Sequence, residues 1–90
     1  MNELIFFELK NCPYCIRANK FLSELMQDPK YQSITIRKID EAKEKALASQ
    51  YDYYLVPTFY HQDEKLFEGI MRKEDVQQVL DTVLAKQKKA

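Results

Sequence analysis

Residues 10–20, KNCPYCIRANK, decide how the rest of this chain is read. They hold both of its cysteines, Cys12 and Cys15, in a C-x-x-C spacing, with Pro13 directly after the first. Proline is tolerated at the first helical position and pushes the residue before it out of the α region. The spacing therefore predicts Cys12 as a non-helical N-cap and a helix starting at Pro13. Cys15 then lies one turn in, on the same face. That places the pair within the Cα separation of roughly 4.4–6.8 Å that a disulfide needs. The first N–H groups of a helix have no intrahelical partner and carry about half a positive charge. A thiolate at Cys12 is favoured there, and such sites lower a cysteine pKa from about 8.5 to ~3.5–7.5. The thiolate is the attacking species in disulfide exchange. Cys12 is the candidate nucleophile, and Cys15, deeper in the turn and less exposed, the candidate resolving thiol.

Working outward, residues 4–9 (LIFFEL) form a short apolar run that suits a strand buried on both faces. Lys10 and Asn11 make the turn into the cysteine motif. The helix from Pro13 shows Ala18, Phe21, Leu22, Leu25 and Met26 on one face, and Asp28-Pro29 ends it. Residues 33–39 (SITIRKI) are rich in β-branched side chains and read as a second strand whose alternation decays as at a sheet edge. Strand, helix, strand is a βαβ unit, so these two strands are expected to be parallel. Asp40 is a good N-cap for a helix over residues 41–50, with Ala42, Ala46 and Leu47 inward. Tyr51, Asp52, Tyr53 and Tyr54 are a loop. Thr58 to His61 and Lys65 to Glu68 make a hairpin. Gly69, the only glycine, falls where an unusual dihedral or a close backbone approach is expected. Val76, Val79, Leu80, Val83 and Leu84 form a core-facing stripe on a last helix, and residues 86–90 fray into water. The order is β-α-β-α-β-β-α, an α/β fold with a four-stranded mixed sheet flanked by helices.

Ninety residues make a single domain. Large Phe and Tyr side chains supply the core, so no covalent staple is required. Acidic and basic residues balance at 14 each, which removes any composition argument for nucleic acid or an anionic membrane as partner. The start, MNELIFFELK, has no basic segment and too short an apolar run for a signal peptide. No stretch approaches a membrane span of about 18 apolar residues. The expectation is a cytoplasmic protein, where thiols stay reduced and two cysteines three apart serve redox or metal chemistry before they serve as a crosslink.

C-P-Y-C after a first strand, then Val56-Pro57, a hairpin and a helix, resembles the glutaredoxin branch of the thioredoxin superfamily from Leu4 to Leu84. The resemblance implies a monomeric thiol–disulfide oxidoreductase acting in redox homeostasis and electron transfer, with no tightly bound cofactor and no metal. Cys12 matches the family's nucleophile and Cys15 its resolving cysteine. Pro57 matches its cis-proline, with Val56 offering backbone N–H and C=O to an extended substrate. Tyr14, beside Pro13, matches the aromatic residue that lines the site. Glutaredoxins show Gly-Gly followed closely by Asp before the last helix, where this chain reads Gly69-Ile70-Met71-Arg72. They also carry a basic residue three before the first cysteine, where Leu9 stands, with Lys10 one place closer. The electron donor is therefore open between glutathione and a flavoprotein reductase. Substrates would be disulfides of proteins or small molecules.

Other readings stand beside these. A structural zinc site needs four ligands, which two cysteines and one histidine do not supply. A [2Fe–2S] cluster shared by two chains, through Cys12 of each and two glutathiones, would make the protein an iron–sulfur carrier or a non-catalytic adaptor instead. His61 reads as an exposed strand residue. Lys10 either assists the thiolate or is a solvated turn residue. Tyr51, Tyr53 and Tyr54 either line a groove beside Pro57 or pack their rings on the sheet edge with hydroxyls in water.

Overall fold

The structure is a computed structural model and describes residues 3–88. Strand β1 (Glu3–Glu8) leads into helix α1 (Pro13–Leu25), and a short 3-10 turn (Pro29–Tyr31) leads to β2 (Thr35–Asp40). Helix α2 (Lys45–Ala48) follows, then β3 (Thr58–His61), β4 (Glu64–Glu68) and α3 (Lys73–Lys88). The sheet order is β2-β1-β3-β4. Strand β1 pairs parallel with β2 and antiparallel with β3, and β3 pairs antiparallel with β4. The mixed four-stranded sheet and the parallel βαβ unit are as the sequence predicts, with β2 at an edge.

Strand alternation divides the core in two. Leu4 and Phe6 point to one side of the sheet, where Ala18 and Leu22 of α1 meet Val76, Val79, Leu80 and Val83 of α3. Phe6 sits 4.8 Å from Phe59, ring centroid to ring centroid. Ile5 and Phe7 point to the other side, against Ile39, Ala48 and Tyr60. Phe6 and Phe7 are both fully buried, a favourable transfer of roughly 1.5–3 kcal/mol each.

Four expectations are corrected. The helix over residues 41–50 shrinks to one turn, Lys45–Ala48. The Asp40 carboxylate accepts the Ala42 N–H at 2.9 Å and so stabilises a turn instead of capping a helix. Leu47 packs against the core as expected and Ala48 is buried beside it, while Ala42 and Ala46 are exposed. His61 is buried, not exposed, because the last residue of β3 is overlapped by β1 and β4 on either side. Tyr31, in the turn after α1, is among the largest fully buried side chains, and its hydroxyl donates to Asp81 on α3 at 2.6 Å. Helix α3 continues to Lys88 instead of fraying from residue 86, and Lys89 and Ala90 lie outside the described residues. No described helix is long and apolar enough to cross a membrane.

Candidate active site

The chain leaves β1 and turns at once. The Cys12 N–H donates to the Leu9 carbonyl at 3.4 Å, with Asn11 at φ +70° in the turn. Asparagine tolerates this left-handed conformation better than most residues. Cys12 follows as an extended N-cap, φ −85° and ψ 117°, with Pro13 as the first helical residue. Its carbonyl accepts the Ile16 N–H at 2.9 Å, the first bond of α1. The order turn, N-cap, proline is the one the sequence predicts.

Both cysteines are free thiols. Cys12 is half-buried, and Cys15 is 1% exposed. The Cys12 sulfur closes no full capping hydrogen bond. Its pKa is nevertheless lowered: partial burial works against the thiolate, but the Cys15 amide, the Cys15 thiol and the Tyr14 amide together outweigh it. Cys15 moves the opposite way. Burial pushes its thiol up to about 12, and the Cys12 sulfur and the Glu8 carboxylate add to the rise against one helpful contact with the Leu9 backbone.

Glu8 and Asn19 escaped the sequence reading. The Asn19 amide donates to Glu8 Oε1 at 2.7 Å and to the Cys15 carbonyl at 3.1 Å, tying the end of β1 to the second turn of α1. The available signal was the i, i+4 spacing of Asn19 from Cys15, with an acid closing an otherwise apolar strand.

The other wall comes from the approach to β3. The Val56–Pro57 bond is cis and Pro57 is fully buried. Thr58 pairs with Phe7, which brings Val56 and Pro57 beside the end of β1, where the cysteine turn begins. The Pro57 carbonyl accepts the Gly69 N–H at 2.9 Å. Gly69 has φ +99°, and a β-carbon there would stand 3.4 Å from Leu55 Cδ1. The lone glycine is needed for its dihedral, as expected.

The tyrosines divide between the two readings given them. Tyr51 and Tyr53 pack on Phe7, at 4.9 and 4.7 Å between ring centroids. The Tyr53 hydroxyl donates to Glu41 Oε1 at 2.6 Å and is not left to water; burial, then that carboxylate, pushes its pKa far up. Tyr54 is 89% exposed. All three line an open cavity of about 470 Å³ with Leu9 and Lys45.

Tyr14 is 44% exposed and Pro13 is exposed beside it. Lys10 is exposed in the turn and joins no ion pair among the described residues. His61 lies at the opposite end of β3 from Pro57, so the structure does not bring it to the thiols. No cluster of three or more His, Cys, Asp or Glu that could hold a metal forms among the described residues. The arrangement is one accessible thiol with a lowered pKa, a second sealed thiol one turn away, and an irregular backbone segment alongside.

No family model matches the chain, and no curated protein matches it. Solved structures do. A thioredoxin-like protein from Clostridium perfringens, described as uncharacterised, is 30% identical over 90% of this chain and 69% of its own, with a TM-score of 0.65. The oxidised thioredoxin of Plasmodium falciparum is 18% identical over 89% of this chain and 78% of its own, at 0.71. A thioredoxin from Halobacterium salinarum is 22% identical over 90% and 73%, at 0.69.

Proposed function

This chain belongs to the thioredoxin superfamily, and from that premise we propose that it is a glutaredoxin-like thiol–disulfide oxidoreductase working through Cys12 and Cys15. The observation that carries the reading is the opposed state of the two thiols: Cys12 accessible with its pKa lowered, Cys15 buried with its pKa raised to about 12.

The Cys12 thiolate attacks one sulfur of a substrate disulfide. A Cys12–substrate bond forms, the substrate S–S bond breaks, and the first substrate thiolate leaves and takes a proton. The mixed disulfide changes the surroundings of Cys15. Two of the groups that raise its pKa are the Cys12 charge and the hydrogen bond to the Cys12 sulfur, and both vanish when that sulfur is bonded. Cys15 then loses its proton more readily and attacks Cys12. The second substrate thiolate leaves, and a Cys12–Cys15 disulfide remains, having passed two electrons to the substrate. Two electrons from glutathione or from a flavoprotein reductase restore the dithiol.

Val56 pairs its backbone with an extended substrate, Tyr14 and Pro13 flank the attacking sulfur, and Lys10 faces the approaching chain. Asp75, near the place of the glutaredoxin acid, accepts the Arg72 N–H at 2.8 Å at the start of α3. That helix-capping engagement favours a reductase over glutathione as donor. We place the activity in a reducing compartment, the cytosol, with the protein as a monomer.

The test is insulin and hydroxyethyl disulfide reduction with each donor in turn, on wild type and Cys12→Ser. Loss of all turnover in Cys12→Ser is expected. Retained turnover would refute the reading.

A further inference from the structure

The segment between Tyr53 and Pro57 belongs to no strand or helix; Val56 packs partly against the core, but Tyr54 is 89% and Leu55 59% exposed. Packing does little to fix the backbone at those two residues, because exposed apolar side chains gain little by staying put. A carboxylate holds it instead. Glu68, the last residue of β4, accepts the amide N–H groups of both Tyr54 and Leu55 on Oε2, the second at 2.8 Å. Its other oxygen, Oε1, accepts from Lys65 Nζ at 2.8 Å.

Two carbonyls of the segment are engaged as well. The Thr58 hydroxyl donates to the Leu55 carbonyl, and the Gly69 N–H donates to the Pro57 carbonyl. Val56 contributes neither its N–H nor its C=O to any of these bonds. It stands between Leu55 and Pro57, whose peptide groups are tied down on either side of it.

We propose that Glu68 is a positioning residue of the substrate-binding edge, clasping the Tyr54 and Leu55 backbone so that the Val56 peptide is held ready for an extended, disulfide-bearing polypeptide. This rests on the reading above, in which Val56 pairs with substrate, and adds the group that holds it. Charge-assisted bonds from two neighbouring amides to one carboxylate are roughly twice as strong as neutral ones. Lys65, then the two amides, holds the Glu68 carboxyl down at about 2, so the clasp is ionised throughout the neutral range. A polypeptide needs the pre-formed edge, and a small disulfide that touches only the thiol does not.

The test compares wild type, Glu68→Ala and Glu68→Gln on a disulfide-linked peptide and on hydroxyethyl disulfide, with melting curves to show that each variant is folded. In Glu68→Ala the peptide KM should rise about tenfold, the scale of one lost bond to a charged group. Its kcat and the iodoacetamide rate at Cys12 should stay level, and hydroxyethyl disulfide turnover should fall much less. Glutamine keeps an acceptor oxygen and should recover most of the loss. Hydrogen exchange at the Tyr54 and Leu55 amides should speed about tenfold in Glu68→Ala, a loss of protection on the same scale. Unchanged exchange, or equal losses on the two substrates, overturns the proposal. A wild type that reduces no disulfide overturns the parent reading too, whereas normal wild-type turnover with unchanged Glu68→Ala values overturns this one alone.

Discussion

The two ends of the sheet are built on opposite terms. At the hairpin end, His61 is buried, Gln62 takes φ +56° to make the turn, and Glu64 pairs with Lys86 of α3 at 2.6 Å. At the other end, large apolar side chains stand in water: Tyr14 and Ile16 in the first turn of α1, Tyr54 and Leu55 before β3, and Ile70 after β4. Scattered exposed apolar residues are ordinary, and the contrast is that these five fall on elements at the end of the sheet that carries the thiols. The hairpin end closes a fold. The thiol end leaves apolar surface uncovered and ties its backbone with polar groups instead.

The sharpest way to break this contrast is at the thiols. Cys15→Ser, given a disulfide-linked peptide and no glutathione, should stall at the first exchange and accumulate a covalent adduct. Mass spectrometry would show one peptide arm added to most of the protein, and its absence would remove Cys15 from the resolving role.

The next largest effect concerns stability. Leu80→Ala removes a fully buried side chain between α3 and the sheet and should cost about 2–5 kcal/mol in urea unfolding. Ile70→Gln, at the thiol end, should stay within about 0.5 kcal/mol of wild type. Comparable losses in the two variants would show that Ile70 is part of the core.

The third concerns pH, and the two cysteines oppose each other. Cys12, with its pKa lowered, should be alkylated by iodoacetamide at lower pH than an ordinary thiol, while Cys15 stays unreactive. Because the folded pKa of Cys15 is raised, the unfolded chain binds fewer protons than the folded one between about 8.5 and about 12. The stability that Cys15 contributes is whole below that window and is lost as pH rises through it. Urea midpoints should fall between about pH 8 and about pH 10.5, and fall less in Cys15→Ala. A fall of the same size in Cys15→Ala would assign the loss to another group.

The smallest effect lies at the hairpin. Lys86→Gln removes an exposed ion pair, so its melting temperature should move little and match wild type in high salt. Disulfide turnover should be unchanged, because Lys86 is at the end of the molecule away from the thiols. A clear loss of activity would mean that the two ends communicate.

How much of this was legible depends on the range of the forces involved. Pro13 after Cys12, the β-branched run into Ile39, and the stripe from Val76 to Leu84 are patterns a few residues long. They read out correctly because helix starts, strands and amphipathic faces are set by near neighbours. The failures share a cause. Residues 41–50 have the composition of a helix, yet one carboxylate at Asp40 redirects the chain. Tyr51 and Tyr53 are loop residues whose rings pack on the sheet, as one of the two readings had it, but the chain pattern does not show that Phe7 and Glu41 are there to receive them. Nothing near Glu68 in the chain announces that it will hold Tyr54 and Leu55.

By itself the sequence determined the order of elements, the parallel βαβ unit, the two-cysteine helix start and the left-handed glycine, since each follows from local dihedral preference and side-chain period. Only the tertiary structure decided how completely Cys15 is sealed, that Glu8 and Asn19 lie beside it, and that Glu68 ties down the approach to Pro57. Those depend on burial and on hydrogen bonds between residues far apart in the chain, which no local pattern encodes.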